Sequence, residues 1–364
     1  MRIAMICREM PPVGGGAGAV ALQLSRELVA VGHEVVFFTM RYGSQSAEDQ
    51  VDGLRVIRIP CGRRRVSNAR LVEMLRFLRS TRRRLREEHA AEPFDVVHAH
   101  SILPEGAVPP RRGFGCRTVI TAHGSDVPGY NPDRYEFLHR AAAGLWRSTL
   151  RRADVVTAPS EFLADLIRAA EPNRSIHVIP NGIDGDLLAE RDDRSGILIA
   201  ARLEPRKNVR LAMEALDGLP ATRVDIVGDG PELPRLKAFA TKLEDHEIHF
   251  HGWLEHGSRE WREAYERARF FVFMSSKENF PINLLEAQLA GLVTVASAIP
   301  SNREVLGEAA EFVPIGVEPL RSRLEALLAE SSQSLNQRGH QARMRVLTTF
   351  LWPDIRERFL QLYR

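Results

Sequence analysis

Short apolar runs alternate with longer amphipathic segments along almost the whole chain, and midway the alternation begins afresh. Few architectures absorb that pattern. In the first half, Arg2–Cys7, Glu34–Thr39, Arg55–Ile59, Val96–Ala99, Thr118–Ala122, Val155–Ala158 and His177–Ile179 read as strands. Ala17–Val31 has helical spacing, with Val20, Leu24 and Leu28 on one face and Gly32 to end it. In the second half, Gly196–Ala200, Arg223–Val227, Ile248–Phe250, Arg269–Met274 and Thr294–Ala296 are expected strands. Between them, Val209–Leu216, Pro231–Leu243, Ser258–Arg267 and Leu284–Leu289 are expected helices. Strands interleaved with helices predict parallel sheets covered on both faces, the α/β class. Two such sets predict two domains, in keeping with 364 residues at ~150 per domain. The polar stretch Asp184–Ser195 lacks apolar periodicity and is expected to link them. Ligands of such sheets bind beyond the carboxyl ends of the strands, so candidate chemistry is sought there, in the cleft that two such domains are expected to form.

Composition narrows the class further. Hydrophobic residues make up 44% and charged residues 27%, which excludes a disordered or fibrous chain. Cys7, Cys61 and Cys116 are too few and too far apart for a disulfide scaffold, and fit a reducing cytoplasm. No run reaches the ~18 apolar residues that span a bilayer, and the apolar N-terminal stretch is too short for a signal peptide. The net charge of +3 hides an asymmetry. Residues 1–180 carry 26 arginines, no lysine and 19 acids; the remainder carries 24 basic and 28 acidic residues. Ten of those arginines fall in Arg63–Arg86, where Glu73 is the sole acid. There Leu71, Met74, Leu75, Leu78 and Leu85 form an apolar stripe. A solvated helix face, attachment to an anionic membrane surface and binding of an acidic acceptor all fit, so the expected location is cytoplasmic, with peripheral binding to the inner membrane face left open. Aromatic residues are not interleaved with the arginines, which argues against nucleic acid.

The loop Pro11–Gly18 carries four glycines between the first strand and the first helix, suited to a phosphate at a helix N-terminus or to a plain turn. A Walker A loop is excluded, because no Gly-Lys-Ser/Thr follows. Gly14-x-Gly16-x-x-Ala19 matches a loose dinucleotide fingerprint, and Arg41 after the second strand suits a 2′-phosphate. An NADP-linked oxidoreductase therefore stays open. In the second half, Arg202 and Lys207 follow a strand and suit a diphosphate. Glu278 lies in a loop after another strand and Glu286 in the next helix. Such carboxylates accept hydrogen bonds from sugar and ribose diols, or simply cap and face water. His98, His100 and His123 are close enough in the pattern to consider zinc, but read more simply as lining residues. His249 and His251 get the same reading.

Taken together, these strings resemble family 4 glycosyltransferases. The resemblance rests on PPVGGGAGAV at 11–20, GHEVVFFT at 32–39, DVVHAH at 95–100, TAHGSD at 121–126 and VIPNGID at 178–184. It continues with ARLEPRKN around 201–208, IVGDGPEL at 226–233 and SSKENFPINLLEAQLAGLVTVAS at 275–297, the E-x7-E element. The resemblance implies the GT-B fold, two Rossmann-like parallel-sheet domains facing across a cleft. Residues 1–182 would form the acceptor-side domain, with a C-terminal helix at about 351–364 packing back on it, and 183–350 the donor domain.

The same resemblance implies a retaining, metal-independent enzyme without a cofactor, moving a hexosyl unit from a UDP- or GDP-linked sugar to a hydroxyl acceptor. Gly15 and Gly16 would approach the donor phosphates, which Arg202 and Lys207 would bind. Glu286 would hold the ribose. Glu278 would hold the donor sugar, beside the main chain of Asn279, Phe280, Pro281 and Ile282. The helix start at Asn283, Leu284 and Leu285 would face a phosphate. His123 would lie near the reacting carbon with Asp126 beside it, and Trp253 and Leu254 would seat the base. Two departures stand out: Asn279-Phe280-Pro281 replaces Gly-Phe-Gly, and Asn283 stands where proline is frequent. A non-catalytic sugar-nucleotide-binding protein is the third reading.

Overall fold

The computed structural model describes residues 1–66, 69–109 and 114–364. Two compact units result: Met1–Gly182 with Trp352–Arg364, and Ile183–Leu351.

Unit 1 is built on a sheet in the order β3-β4-β2-β1-β5-β6-β7-β8. Its strands are β1 Arg2–Ile6, β2 Glu34–Tyr42, β3 Glu48–Val51, β4 Leu54–Arg63, β5 Val96–His100, β6 Arg117–Thr121, β7 Val155–Ala158 and β8 His177–Val178. All neighbours pair in parallel except β3 with β4. The helices are α1 Gly16–Ala30, α2 Leu71–Ala91, α3 Pro132–Arg152 and α4 Glu161–Ala170. β1 is central: Ile3, Ala4, Met5 and Ile6 have no exposed surface, because helices cover both faces. Val20, Leu24 and Leu28 of α1 are buried, as the helical spacing predicts. The hairpin strand β3 (EDQV) is half acidic and has no apolar alternation to announce it.

Unit 2 carries an all-parallel sheet in the order β11-β10-β9-β12-β13-β14. Its elements run β9 Ile197–Ala200, α5 Val209–Glu214, β10 Arg223–Val227, α6 Leu233–Ala240, β11 Glu247–Gly252, α7 Arg259–Arg267 and β12 Phe270–Phe273. Then follow α8 Ile282–Leu289, β13 Val293–Ser297, α9 Pro300–Leu306, β14 Glu311–Val313, α10 Val317–Leu328 and α11 Ser332–Thr349. Strand side chains alternate between two cores, as pleating requires. Leu198, Ala200, Phe271 and Phe273 enter one; Ile197, Ile199, Phe270 and Val272 enter the other.

The chain then returns to unit 1 as α12 Trp352–Tyr363, which packs on α1. Tyr363 Oη lies 2.7 Å from His98 Nδ1, and Arg356 reaches Glu27 at 3.4 Å. Gly182 has no side chain because one would not fit: a Cβ there would lie 2.5 Å from the Trp352 indole.

The stretch 184–195 is not a free tether. Leu188 and Arg194 are buried within unit 2, and the Arg194 guanidinium donates to the Ala290 carbonyl at 2.9 Å. Its polar composition concealed two inward-facing anchors. The arginine-rich segment also differs from a single amphipathic stripe. Ser67 and Asn68 lie outside the described residues. Leu85 joins Phe77 in the core, whereas Leu71 and Leu75 stay 60% and 48% exposed on another face.

Candidate functional site

In unit 2 the strand order reverses at β9, with β10 on one side and β12 on the other. Loops leaving the carboxyl ends of β9 and β12 diverge there, which is where open α/β sheets bind ligands. The parallel pairing Phe270↔Ile197 puts both loops at the same end of the sheet. They are stitched together. Asn208, in the left-handed region at φ 51°, donates from Nδ2 to the Met274 carbonyl at 2.9 Å. Ser276 N–H donates to the Arg206 carbonyl at 2.9 Å.

This stitching delivers Lys207 Nζ directly onto Glu278 Oε1. Both side chains are only about 10% exposed, and the ammonium also lies 5.2 Å from the Phe273 ring centroid. Burial lowers the lysine pKa, while Glu278 opposes the shift. Arg206, which sequence reasoning passed over, donates to the Lys277 carbonyl at 3.0 Å and stands 4.0 Å from Glu278. Glu204 holds Arg206 at 3.1 Å and Arg202 at 3.3 Å. Arg202 is 56% exposed. The loop after β10 presses on the β9 loop from the other side. A Cβ at Gly228 would lie 1.9 Å from the Ala201 carbonyl oxygen, and Gly228 has φ +131°, so neither space nor backbone admits another residue.

Helix α8 begins just past Pro281, whose ring supplies no N–H. Asn283, the departure from the family pattern, donates from Nδ2 to the Ala200 carbonyl at 2.7 Å and so ties the helix to β9. Phe280 is buried edge-on against Phe350, with centroids 5.9 Å apart, and fixes the intervening loop. Leu284 and Leu285 are fully buried, so only main chain could serve a ligand there. Further along α8, Glu286 receives the Tyr265 hydroxyl at 2.7 Å on Oε2 and faces His256 Nε2 at 3.0 Å on Oε1. That carboxylate raises the His256 pKa. His256 also lies against Trp261, with centroids 4.7 Å apart. Neither His256 nor Tyr265 was singled out from sequence; the fold brings them to Glu286 from 30 and 21 positions away. Trp253 is 72% exposed, and Leu254 packs against the core.

Unit 1 places its own candidates after β1 and β6. The glycine loop is shaped from within: Gly15 N–H donates to Glu9 Oε2 at 2.8 Å, while Gly16 faces open space. Arg8 holds the fully buried Glu105 through Nη1, which donates at 2.9 Å to each carboxylate oxygen. Asp126 is spent on its loop: Oδ1 accepts from His123 and Gly124 N–H at 3.0 Å, and Oδ2 from Ile102 N–H at 2.7 Å. It therefore positions His123 rather than reaching outward. His123 Nε2 lies 3.0 Å from His100 Nδ1, and the rings stack at 5.2 Å. Burial pushes His123 down to about 4 against the pull of Asp126, and His98 down to about 3. His100 falls well below its ordinary value for the same reason. His98 is engaged by Tyr363 and by Thr121 Oγ1 at 2.7 Å. Among the described residues, no group of three or more histidine, cysteine, aspartate or glutamate side chains is arranged to hold a metal ion. His249 and His251 face Glu247 and Asp225 at 2.6 Å and 2.7 Å.

Comparison with known proteins reads both halves in chain order. Residues 14–187 match the model of Glycosyltransferase Family 4, and residues 187–345 that of Glycosyl transferases group 1. The chain is 28% identical to a glycogen synthase of Mycobacterium tuberculosis, covering 100% of this chain and 94% of that one. It is 28% identical to a phosphatidyl-myo-inositol mannosyltransferase of Mycolicibacterium smegmatis, covering 86% and 81%. Among solved structures, sucrose-phosphate synthase from Thermosynechococcus elongatus superposes with a TM-score of 0.84 at 23% identity, covering 100% and 98%.

Proposed function

Since the chain belongs to the family 4 glycosyltransferases of GT-B fold and uses a nucleotide-sugar donor, we propose that unit 2 holds this donor at the ends of β9 and β12 for a retaining, metal-independent hexosyl transfer to a hydroxyl. This family assignment sets aside the oxidoreductase reading of the glycine loop. One observation carries the proposal: a buried, charge-paired Lys207 and Glu278 at the switch point of the sheet. A buried ion pair is costly to maintain without a use for it. The donor diphosphate takes the lysine as its counter-cation, and the freed Glu278 accepts from sugar hydroxyls. Exposed Arg202 contributes the second cation.

Glu286 accepts from the ribose diol, with its oxygens already oriented by Tyr265 and His256. The base rests on Trp253 and Leu254. Asn279, Phe280, Pro281 and Ile282 offer main chain to the sugar. Within unit 1, the loops after β1 and β6 present Gly15, Gly16 and His123, and that unit receives the acceptor. In the reaction, the bond from the anomeric carbon to the diphosphate oxygen breaks. A bond to the acceptor oxygen forms on the same face, and the acceptor proton passes to the leaving diphosphate. Charge develops on phosphate, so fixed cations and N–H dipoles supply the catalysis. His123 is neutral at pH 7, which suits hydrogen bonding rather than charge. The three free thiols support a cytoplasmic setting. The exposed arginines of α2 support reversible attachment to an anionic membrane face.

The test is transfer kinetics with Lys207→Ala and Glu278→Gln. Each is expected to lower kcat by about 10²-fold or more, the scale of losing one preorganised charge stabiliser. Full activity in chelator and retained anomeric configuration in the product are expected alongside. Near-normal turnover in both variants refutes the assignment.

A further inference from the structure

Strands β1, β5 and β6 lie side by side in unit 1, and toward their carboxyl ends they bring Met5, His98, His100 and His123 into one row. The His100 and His123 rings stack at 5.2 Å, and the His98 and His100 rings lie 4.3 Å apart. Burial keeps all three imidazoles neutral at pH 7. A neutral imidazole has one N–H and one lone pair, so each contact in the row constrains the next.

His98 is satisfied either way. Its Nδ1 meets the Tyr363 hydroxyl and its Nε2 the Thr121 hydroxyl, both at 2.7 Å, and a hydroxyl can donate or accept. His100 has no such freedom. Its Nε2 lies 3.0 Å from Met5 Sδ, and both residues are buried. A thioether sulfur can only accept; a ring lone pair held against it would face another lone pair. The His100 proton therefore sits on Nε2, and its Nδ1 is left to accept. Opposite that Nδ1, at 3.0 Å, stands His123 Nε2, which must then donate. His123 Nδ1 keeps the lone pair. The backbone N–H of His123 is held by Asp126 Oδ1 at 3.0 Å, and no described residue bonds His123 Nδ1. His123 is the part-exposed end of the row.

We propose that Met5 and His100 are positioning residues, which lock His123 in its Nε2–H tautomer so that Nδ1 meets the substrate as a hydrogen-bond acceptor. A sugar hydroxyl donates to such a nitrogen. A carboxylate at the same position has no proton to give and is repelled, so the lock selects a neutral hydroxyl there over an acidic sugar. It also leaves His123 no proton to give on the side that faces substrate. The inference rests on the proposed function only for placing a sugar at His123; the tautomer follows from the contacts.

The experiment uses the intact protein carrying isotopically labelled histidine. Long-range proton–nitrogen spectra separate protonated from bare ring nitrogens, and His123→Asn identifies the His123 signals by their loss. At pH 7 wild-type His123 is expected to show a protonated Nε2 and a bare Nδ1. Met5→Leu keeps the volume and removes the sulfur. With nothing to accept from its Nε2–H, His100 is expected to carry its proton on Nδ1 and donate it to His123, whose own proton then moves to Nδ1. His100→Leu removes the acceptor and is expected to leave His123 as a mixture of both tautomers. Hydrolysis of UDP-glucose and GDP-mannose is followed on the same samples. For whichever is turned over, Met5→Leu is expected to lower kcat/KM by about tenfold, the scale of one hydrogen bond to substrate, with UDP and GDP binding unchanged. A protonated Nδ1 in wild-type His123, or wild-type His123 signals in both leucine variants, overturns the proposal. The expected tautomers with full turnover in Met5→Leu overturn instead the placement of a sugar at His123, so the two readings fail separately.

Discussion

Lys207 and Glu278 were legible in the sequence because each follows an apolar strand in a motif of several residues. Arg206, His256 and Tyr265 were not, because their contacts with Glu278 and Glu286 arise from segments that only the sheet order brings together. Asp126 stood out in the sequence as a candidate, but the work it does was not legible: three backbone N–H groups converge on it, and no spacing rule reveals such a turn. The same loop makes a prediction about pH. His98, His100 and His123 are held neutral by burial, with folded pKa values below the ordinary 6.5. The unfolded chain therefore binds more protons as pH falls below that value, and stability drains away on the acid side. Each histidine costs up to ~1.4 kcal/mol per pH unit between its unfolded and folded values. Denaturant midpoints are expected to fall steeply from pH 7 to pH 5. A flat profile over that range counts against the buried neutral cluster.

At the level of elements, most strands and the α1 and α7 helices follow from periodicity, since buried parallel strands leave short β-branched runs. The long helices α2 and α3 are harder to read, because part of their apolar surface faces outward and breaks the single-stripe pattern. Helix α12 depends on tertiary partners for its place. It buries Trp352, Ile355, Phe359, Leu360 and Tyr363, and each such side chain contributes ~1.5–3 kcal/mol. That sum rivals the whole stability of a domain, ~5–15 kcal/mol. Truncation after Leu351 is expected to leave unit 1 protease-sensitive, which limited digestion reads directly. For α2, co-sedimentation with vesicles containing 30% phosphatidylglycerol, as one such anionic surface, is expected at low salt and lost at about 0.5 M, where the Debye length shrinks below 5 Å. Salt-independent or absent binding removes the surface-attachment proposal.

Across the whole molecule, the repeated α/β pattern made two sheets readable, but not which sugar nucleotide is bound, since the base is seated by loops without periodicity. A thermal-shift series with UDP-, GDP-, ADP- and dTDP-sugars settles it: the cognate donor at 100 times its Kd adds ~2.7 kcal/mol. That amounts to several degrees for a unit of this size. A uniform response to all four bases argues against a specific base seat at Trp253. The chain order has a further outcome. Unit 1 is completed only by α12, which follows all of Ile183–Leu351. During synthesis the first sheet must wait, with the α1 surface uncovered, while the second is translated and closes around its own two cores. The nascent chain is thus most vulnerable to aggregation and chaperone capture late in translation, and a chain released before residue 352 would carry a finished second unit and an unsealed first.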